Sequence, residues 1–305
     1  MIVRIFGSLA ILLCLSGAAN ADDATFEEAM SLFSDGNYVD AKPIADAFAA
    51  KDDPRAFMML GTMSQKGFGV EVDAQTAKLW FRKAAEKGNV DGQFAFGMML
   101  LDGSLGEPNL ADGSAWLEKA ADSDNVQATY NLGLFQSGVY NNPPDWKKAF
   151  ELFHKAADKG LADAQYNLAL LYTDGRGVEK DSVQAANWFA KAATQGMADA
   201  ALEYGVLVFR GEGVQKDEAL GAKWLLVAAN HGNAVAQNRV AKLYALGKGV
   251  AADAVEAAKW NILAKAGGRA DAELDNAAEK LAPAILAEAN ARASAFKPML
   301  AISKN

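Results

Sequence analysis

A chain that repeats itself every thirty-six residues, without a gap, does not build one central core; it stacks small units that each contact mainly their neighbours. The clearest column is aromatic: Trp80, Trp116, Leu152, Trp188, Trp224 and Trp260. Seven residues before it runs a second column, Asp73, Asn109, Asp145, Asp181, Asp217 and Asp253, which holds Asp or Asn every time. Ala84-Ala85, Ala120-Ala121, Ala156-Ala157, Ala192-Ala193 and Ala228-Ala229 make a third, of which the last copy keeps Ala264. Six copies cover Arg55 to Ala270.

Within one copy, Asp163 to Ala198, the apolar residues fall at helical spacing twice. Ala164, Leu168, Leu171 and Tyr172 lie on a first helix that breaks at Gly175-Arg176-Gly177. Ala185, Trp188, Phe189, Ala192 and Ala193 lie on a second that breaks at Gly196. Asp181 stands before the second helix, where its carboxylate accepts from backbone N–H groups that have no intrahelical partner. The loop Gly-x-Gly-Val recurs at Gly67 to Val70, Gly211 to Val214 and Gly247 to Val250, where glycine tolerates a positive φ. A phosphate-binding Gly-x-Gly follows a strand and occurs once, so this recurring loop between helices is a turn. The second copy has Gly103-Ser104-Leu105-Gly106 in its place, and the third has Gly138 to Pro144.

The run A-x-Y-N-L-(G/A)-x-x-Y-x-x-G-x-G-V-x-x-D, followed by W-F-x-K-A-A-x-x-G, resembles the SEL-one-like repeat (SLR), a relative of the tetratricopeptide repeat. The resemblance implies an all-α fold, an α/α superhelical solenoid of SLR helix pairs with degenerate caps at both ends. It also implies a concave face and a protein-binding role. One SLR branch is secreted, cysteine-rich and proposed to act on β-lactams or peptidoglycan, each helix pair being stapled by a disulfide. Here Cys14 is the one cysteine, so the chain departs from that branch.

Residues 1–21 read as a secretory signal peptide, with Arg4 as the positive region, Ile5 to Leu15 as the apolar core, and Ala19-Asn20-Ala21 as the cleavage site. The apolar core falls short of the roughly 20 residues that span a bilayer. Bulky Leu13 before Cys14 argues against lipid attachment. Cleavage after Ala21 predicts a mature chain without cysteine, in the periplasm or secreted, with no stable membrane insertion. Residues 22–54 read as a degenerate helix pair that caps the first repeat: Phe26, Ala29, Met30 and Phe33 form a stripe, Gly36-Asn37 a turn, and Tyr38 opens a second helix. Residues 55–270 are the six repeats. Past Ala270 the period is lost, and residues 271–305 read as amphipathic capping helices and a tail.

A net charge of −8, with no basic block, argues against nucleic acid as a partner. His154 and His231 occupy different repeat positions and do not converge. HExxH, GxSxG and a repeated His/Asp metal spacing are all missing from the sequence, so no catalytic residue, metal or cofactor is expected. An envelope hydrolase of the β-lactamase or peptidoglycan-acting type is the alternative, and a regulatory subunit of a periplasmic sensor is a third. Trp146 lies outside the aromatic column and is a candidate surface contact.

In the related tetratricopeptide fold the first helix of each pair lines the groove. By position, one groove column reads Met59, Ala95, Asn131, Asn167, Glu203 and Arg239, and the preceding one Met58, Phe94, Tyr130, Tyr166, Leu202 and Asn238. The expected strip for a protein or peptide partner is Tyr130, Asn131, Tyr166, Asn167, Glu203 and Arg239. It passes from apolar through amide and phenol to charged. Either the strip recognises an extended segment or helix, or its tyrosines and amides pack the stack; the residues alone leave both open.

Overall fold

The computed structural model describes residues 21–103 and 106–299. The signal-peptide reading, apart from Ala21, lies outside the described residues, as do Ser104, Leu105 and the last six residues of the tail. Among the described residues the chain is helical with no strand. Helices α1 (Ala21–Ser34) and α2 (Tyr38–Ala49) come first. Six pairs follow: α3 (Pro54–Lys66) with α4 (Ala74–Glu86), α5 (Val90–Asp102) with α6 (Leu110–Asp122), and α7 (Val126–Gln136) with α8 (Trp146–Asp158). Then come α9 (Ala162–Asp174) with α10 (Ser182–Thr194), α11 (Ala198–Arg210) with α12 (Glu218–Asn230), and α13 (Ala234–Leu246) with α14 (Ala254–Ala266). The short α15 (Ala272–Ala278) and α16 (Pro283–Ala295) close the series. The architecture is the all-α repeat solenoid expected. It forms two compact units that divide at Ala128 and Thr129, inside α7.

Each Asp or Asn of the capping column does what its position requires. Asp73 accepts from the N–H groups of Gln75 and Thr76, Asp181 from Val183 and Gln184, and Asp253 from Val255 and Glu256. Asn109, Asp145 and Asp217 each accept one such N–H. Such a cap stabilises its helix by about 1 kcal/mol. A second capping column sits before the first helices: Asp53 bonds Arg55 N–H, Asn89 bonds Gly92, Asn125 bonds Ala128 and Asn233 bonds Ala236. Sequence reading passed over it because Leu161 and Met197 interrupt it and make no side-chain cap.

In the first unit α3 is buried on every side, from Ala56 through Ser64. Its Ala56, Met59, Leu60 and Met63 pack with Phe26, Ala29, Ala41, Ala45 and Phe48 of the N-terminal pair, which therefore caps the stack. Its Phe57 and Met58 turn the other way, to Phe81, Ala84, Phe96 and Met99. The buried hydroxyls of Thr62 and Ser64 donate back to the Met58 and Leu60 carbonyls, each at 2.9 Å, so the helix can lie inside. Met58 and Met59, placed by position at the apolar end of a groove, are core residues, 7% and 5% exposed. That end of the strip is not a surface.

In the second unit, helix pairs close on small residues. Gly205 of α11 faces Gly221 and Leu225 of α12, and a Cβ on Gly205 would stand 3.0 Å from the Leu225 nitrogen. Backbones can approach this closely because neither glycine carries a side chain. The filling residue is the one after the aromatic column: Phe153, Phe189 and Leu225 are each at most 3% exposed, as are Phe81 and Leu117 in the first unit. One residue is a rotation of about 100° on a helix, so the tryptophans point elsewhere, and their burial varies along the column. Trp188 and Trp260 are buried, whereas Trp80, Trp116 and Trp224 are half-buried. A lysine three residues on lies over Trp80, Trp116 and Trp188, at 4.6, 3.8 and 3.5 Å from the ring. Trp146 is half-buried under Arg176.

The two glycines of each Gly-x-Gly-Val loop have separate tasks. Gly175, Gly211 and Gly247 end the first helix in the left-handed conformation. Gly177, Gly213 and Gly249 press onto the first residue of the preceding second helix, meeting the carbonyls of Trp146, Ser182 and Glu218. The loop thus joins one repeat to the one before it.

At the C-terminus the sequence motif stops, and the last helix packs back on the final repeat. Arg292 bonds Glu256 at 2.7 Å and Phe296 meets Trp260 edge-on at 5.5 Å, each pair one period apart. Helix α16 therefore runs parallel to α14 and packs on it, with Phe296, just past its end, against the last tryptophan of the column. From Asp271 the period is lost, as the sequence indicates: α15 has seven residues, and α16 begins 29 residues after α14 begins instead of thirty-six.

Candidate functional site

The second unit carries all six strip residues. Tyr130 and Asn131 stand on α7, Tyr166 and Asn167 on α9, Glu203 on α11 and Arg239 on α13. The first five are half-buried and Arg239 is exposed. The tyrosine rings lean inward within their own repeats, Tyr130 to Phe153 at 5.7 Å and Tyr166 to Phe189 at 5.6 Å. Their hydroxyls point toward the next repeat. Tyr130 Oη accepts from Asn167 Nδ2 at 3.1 Å, and that amide nitrogen also donates to the Asp163 carbonyl at 2.9 Å. Both amide hydrogens of Asn167 are then engaged, and its carbonyl oxygen is the side left for another molecule.

One repeat on, Tyr166 faces acids. Burial first, then the negative charges of Asp199 and Glu203, push its phenol up to about 12. Burial does the same to Tyr130, with Asp163 adding to it and the Asn167 hydrogen bond opposing it. Glu203 is held above the ordinary carboxylate range by burial, against the pull of Arg239. Asp163, though its surface is well exposed, is raised by the packing around its carboxyl. Asp199 accepts from Asn233 Nδ2 at 2.8 Å. Toward α15 the polarity reverses: Asp271 accepts from Asn238 at 3.2 Å and Lys242 at 2.7 Å, and these donors hold it down at about 2. Leu202, in the same column as the tyrosines, is buried.

The strip is thus a stitched surface. Residues thirty-seven apart in sequence meet across neighbouring first helices, as Asn167 does with Tyr130. Sequence reading found the two columns but missed Asp163 and Asp199, which stand in the first turns of α9 and α11. Asp at that place also reads as a helix-dipole partner. The recurrence of Asp at Asp91, Asp163, Asp199 and Asp271 was the available signal.

The raised tyrosines have a pH consequence. Unfolded tyrosine loses its proton near 10, whereas folded Tyr166 keeps it until about 12. The folded state then holds more protons, so stability is complete below pH ~10 and falls as pH rises from there toward 12. Denaturation midpoints measured from pH 9 to 12 should fall, and Tyr130→Phe with Tyr166→Phe should flatten that fall. An equally steep fall in the double variant would contradict the burial of these phenols.

The histidines bond in separate places, His154 to Asp158 at 2.9 Å and His231 to the Met299 carbonyl at 3.0 Å. No group of three or more His, Cys, Asp or Glu that could hold a metal occurs among the described residues. No helix among them is long and apolar enough to cross a membrane.

With this geometry in hand, likeness to known proteins can be placed. A protective antigen of uropathogenic Escherichia coli, displaying an SLR fold, is similar over 90% of this chain with 26% identity and a TM-score of 0.79. This chain spans 60% of that protein's length. A Sel1 repeat protein from Oxalobacter formigenes is similar over 80% of this chain and 97% of its own, with 26% identity and a TM-score of 0.69. No curated protein matches the chain. The Sel1 repeat profile matches six times in succession, at residues 54–89, 90–125, 126–161, 162–197, 198–233 and 234–268. Those bounds place each first helix, second helix and closing turn in one repeat, and the chain belongs to the Sel1 repeat family.

Proposed function

We propose that this chain is an exported, non-catalytic scaffold that binds a protein or peptide along the first-helix face of its second unit. Sel1 repeat folds generally serve protein interaction, which supports the class. The observation that carries the location is the row of half-buried polar side chains with bonding capacity to spare. Asn167 keeps an acceptor after its donors are used, and the Tyr130 hydroxyl accepts from Asn167 while its own proton remains to donate. Glu203 stays desolvated with Arg239 as its nearest opposing charge. A partner that brings donors and positive charge to Asp163, Asp199 and Glu203, and negative charge to Arg239, relieves that desolvation. Such charge pairing orients a bound segment more than it tightens it. The setting is envelope signalling, assembly or host contact, reached after cleavage following Ala21.

The test is capture from intact envelope, using the chain expressed with its full N-terminus and with Asn131→Ala and Asn167→Ala combined. Losing the two Asn167 bonds should cost about 1–3 kcal/mol of stability and leave the protein folded, while capture should fall at least about tenfold, some 1.4 kcal/mol. Mass spectrometry of the bait should begin at Asp22. Undiminished capture by the double variant would make these amides part of the stack, and the binding strip would have to be abandoned.

A further inference from the structure

The chain leaves α16 in an extended conformation at Phe296 and turns back onto an earlier repeat. Phe296 lies edge-on to Trp260 at 5.5 Å, and Pro298 packs on Gly232, at the turn between α12 and α13. Met299 N–H donates to the Asn230 carbonyl at 2.8 Å, and its own carbonyl accepts from His231 Nδ1 at 3.0 Å. Both Asn230 and His231 sit where α12 ends and its last carbonyls lack helical partners. Elsewhere this turn position stitches a repeat to the one before it. Gln195 Nε2, one period earlier, donates to the Gly160 carbonyl at 2.9 Å, and Lys87, four periods earlier, pairs with Asp52 at 2.7 Å. His231 holds the tail instead.

The closure is sparse. Lys297, Pro298 and Met299 are exposed, Met299 at 61%, so little apolar area is buried beyond the one ring. Against Phe296, the indole N–H of Trp260 is buried without a hydrogen-bond partner. Trp260 is 2% exposed. A buried unpaired group disfavours the closed form, because water satisfies it on opening. Sparse contacts over an orphaned polar group mark a segment that opens well before the global fold.

We propose that Phe296–Met299 is a releasable strap. Closed, it fastens α16 to the α12–α13 turn and covers Trp260. Open, it bares the edge of Trp260 and leaves α16 held on α14 by its own contacts alone, Arg292 with Glu256 and the buried Ala289 and Ala293, while the repeats stay folded, which gives the last helix two states. A helix of thirteen residues is marginal in water without tertiary support, so loss of the strap has a signature in its backbone hydrogen exchange.

The full chain carrying Cys14→Ser supplies the background. A Cβ on Gly232 would stand 3.4 Å from that of Pro298, close to the separation of about 3.5–4.5 Å in disulfides. Gly232→Cys with Pro298→Cys should therefore cross-link on oxidation. Comparing its oxidised and reduced forms cancels the strain of a side chain at Gly232. The expected result is α16 exchange at least tenfold slower when oxidised, with α9 to α11 unchanged. In the otherwise native chain α16 should exchange at least tenfold faster than α10, and Met299→Pro, which removes the N–H, should speed it further. Native α16 as slow as α10, equal rates in the oxidised and reduced forms, or failure of the cross-link to form would each overturn the strap.

Discussion

Gly177→Ala is expected to destabilise the second unit by about 3 kcal/mol, the combined cost of a non-glycine residue held at positive φ and of overpacking against backbone. Gly177 has φ +73°, and a methyl group there would collide with the Trp146 carbonyl at the start of α8. A carbonyl at the first turn of a helix has nowhere to go, since its helical hydrogen bond fixes it. The loop would have to lift off the preceding repeat, and in a stack where each unit is stabilised by its neighbours that loss spreads to both. Gly196→Ala is the control. Gly196 has φ +90°, yet no atom lies within 4 Å of the added methyl, so only the backbone term of about 1–2 kcal/mol remains. Urea denaturation of the two variants should separate them by at least about 1 kcal/mol. Equal costs would mean that the loop needs glycine for its own bend and not for its seat on the helix.

That contrast also shows what the sequence could convey. Helix bounds were legible because capping, helical spacing and termination are local chemistry, and repetition states each of them six times. Asp181 could be assigned a cap from its neighbours alone. The residue that fills each repeat was masked by a louder one: Trp188 draws the eye, but Phe189, one position on, points inward beside Ala192 and Ala193. The docking of α16 on α14 was hidden because its contacts, Arg292 with Glu256 and Phe296 with Trp260, lie beyond the repeat motif. The division inside α7 leaves no mark, since Ala128 and Thr129 lie in an ordinary helical stretch.

For the strip, the columns led to Tyr130 and Asn167 but not to their bond, which joins residues thirty-seven apart. The same columns pointed to Met58 and Met59 as a groove floor, and there position misled. α3 is wedged between the N-terminal pair and α4, so the surface that α9 and α11 leave open is covered. The strap was beyond sequence reading altogether. Its bonds tie the Met299 backbone to the Asn230 carbonyl and the His231 ring, and the Met299 backbone carries no sequence signature.

The second large effect concerns where a partner touches. The first-helix face of the second unit offers Asp163, Tyr166, Asn167, Asp199 and Glu203 as desolvated or bonding groups beside the exposed Arg239. The second helices offer something different at their starts, where Val183 and Leu220 are 52% and 39% exposed. Isolated exposed apolar residues are ordinary on any protein surface, so they predict no partner. A photo-reactive residue placed at position 203 or 239 should cross-link a partner in living cells, and one placed at 183 or 220 should not. Position 239 is the safer site, because Arg239 is exposed whereas Glu203 is half-buried. The expected ratio of cross-linked product, position 239 over position 220, is at least about tenfold, the difference between a contact within reach and a face turned away. Cross-linking from 183 and 220 with none from 203 and 239 would place the partner on the second helices and contradict the assignment of the binding face.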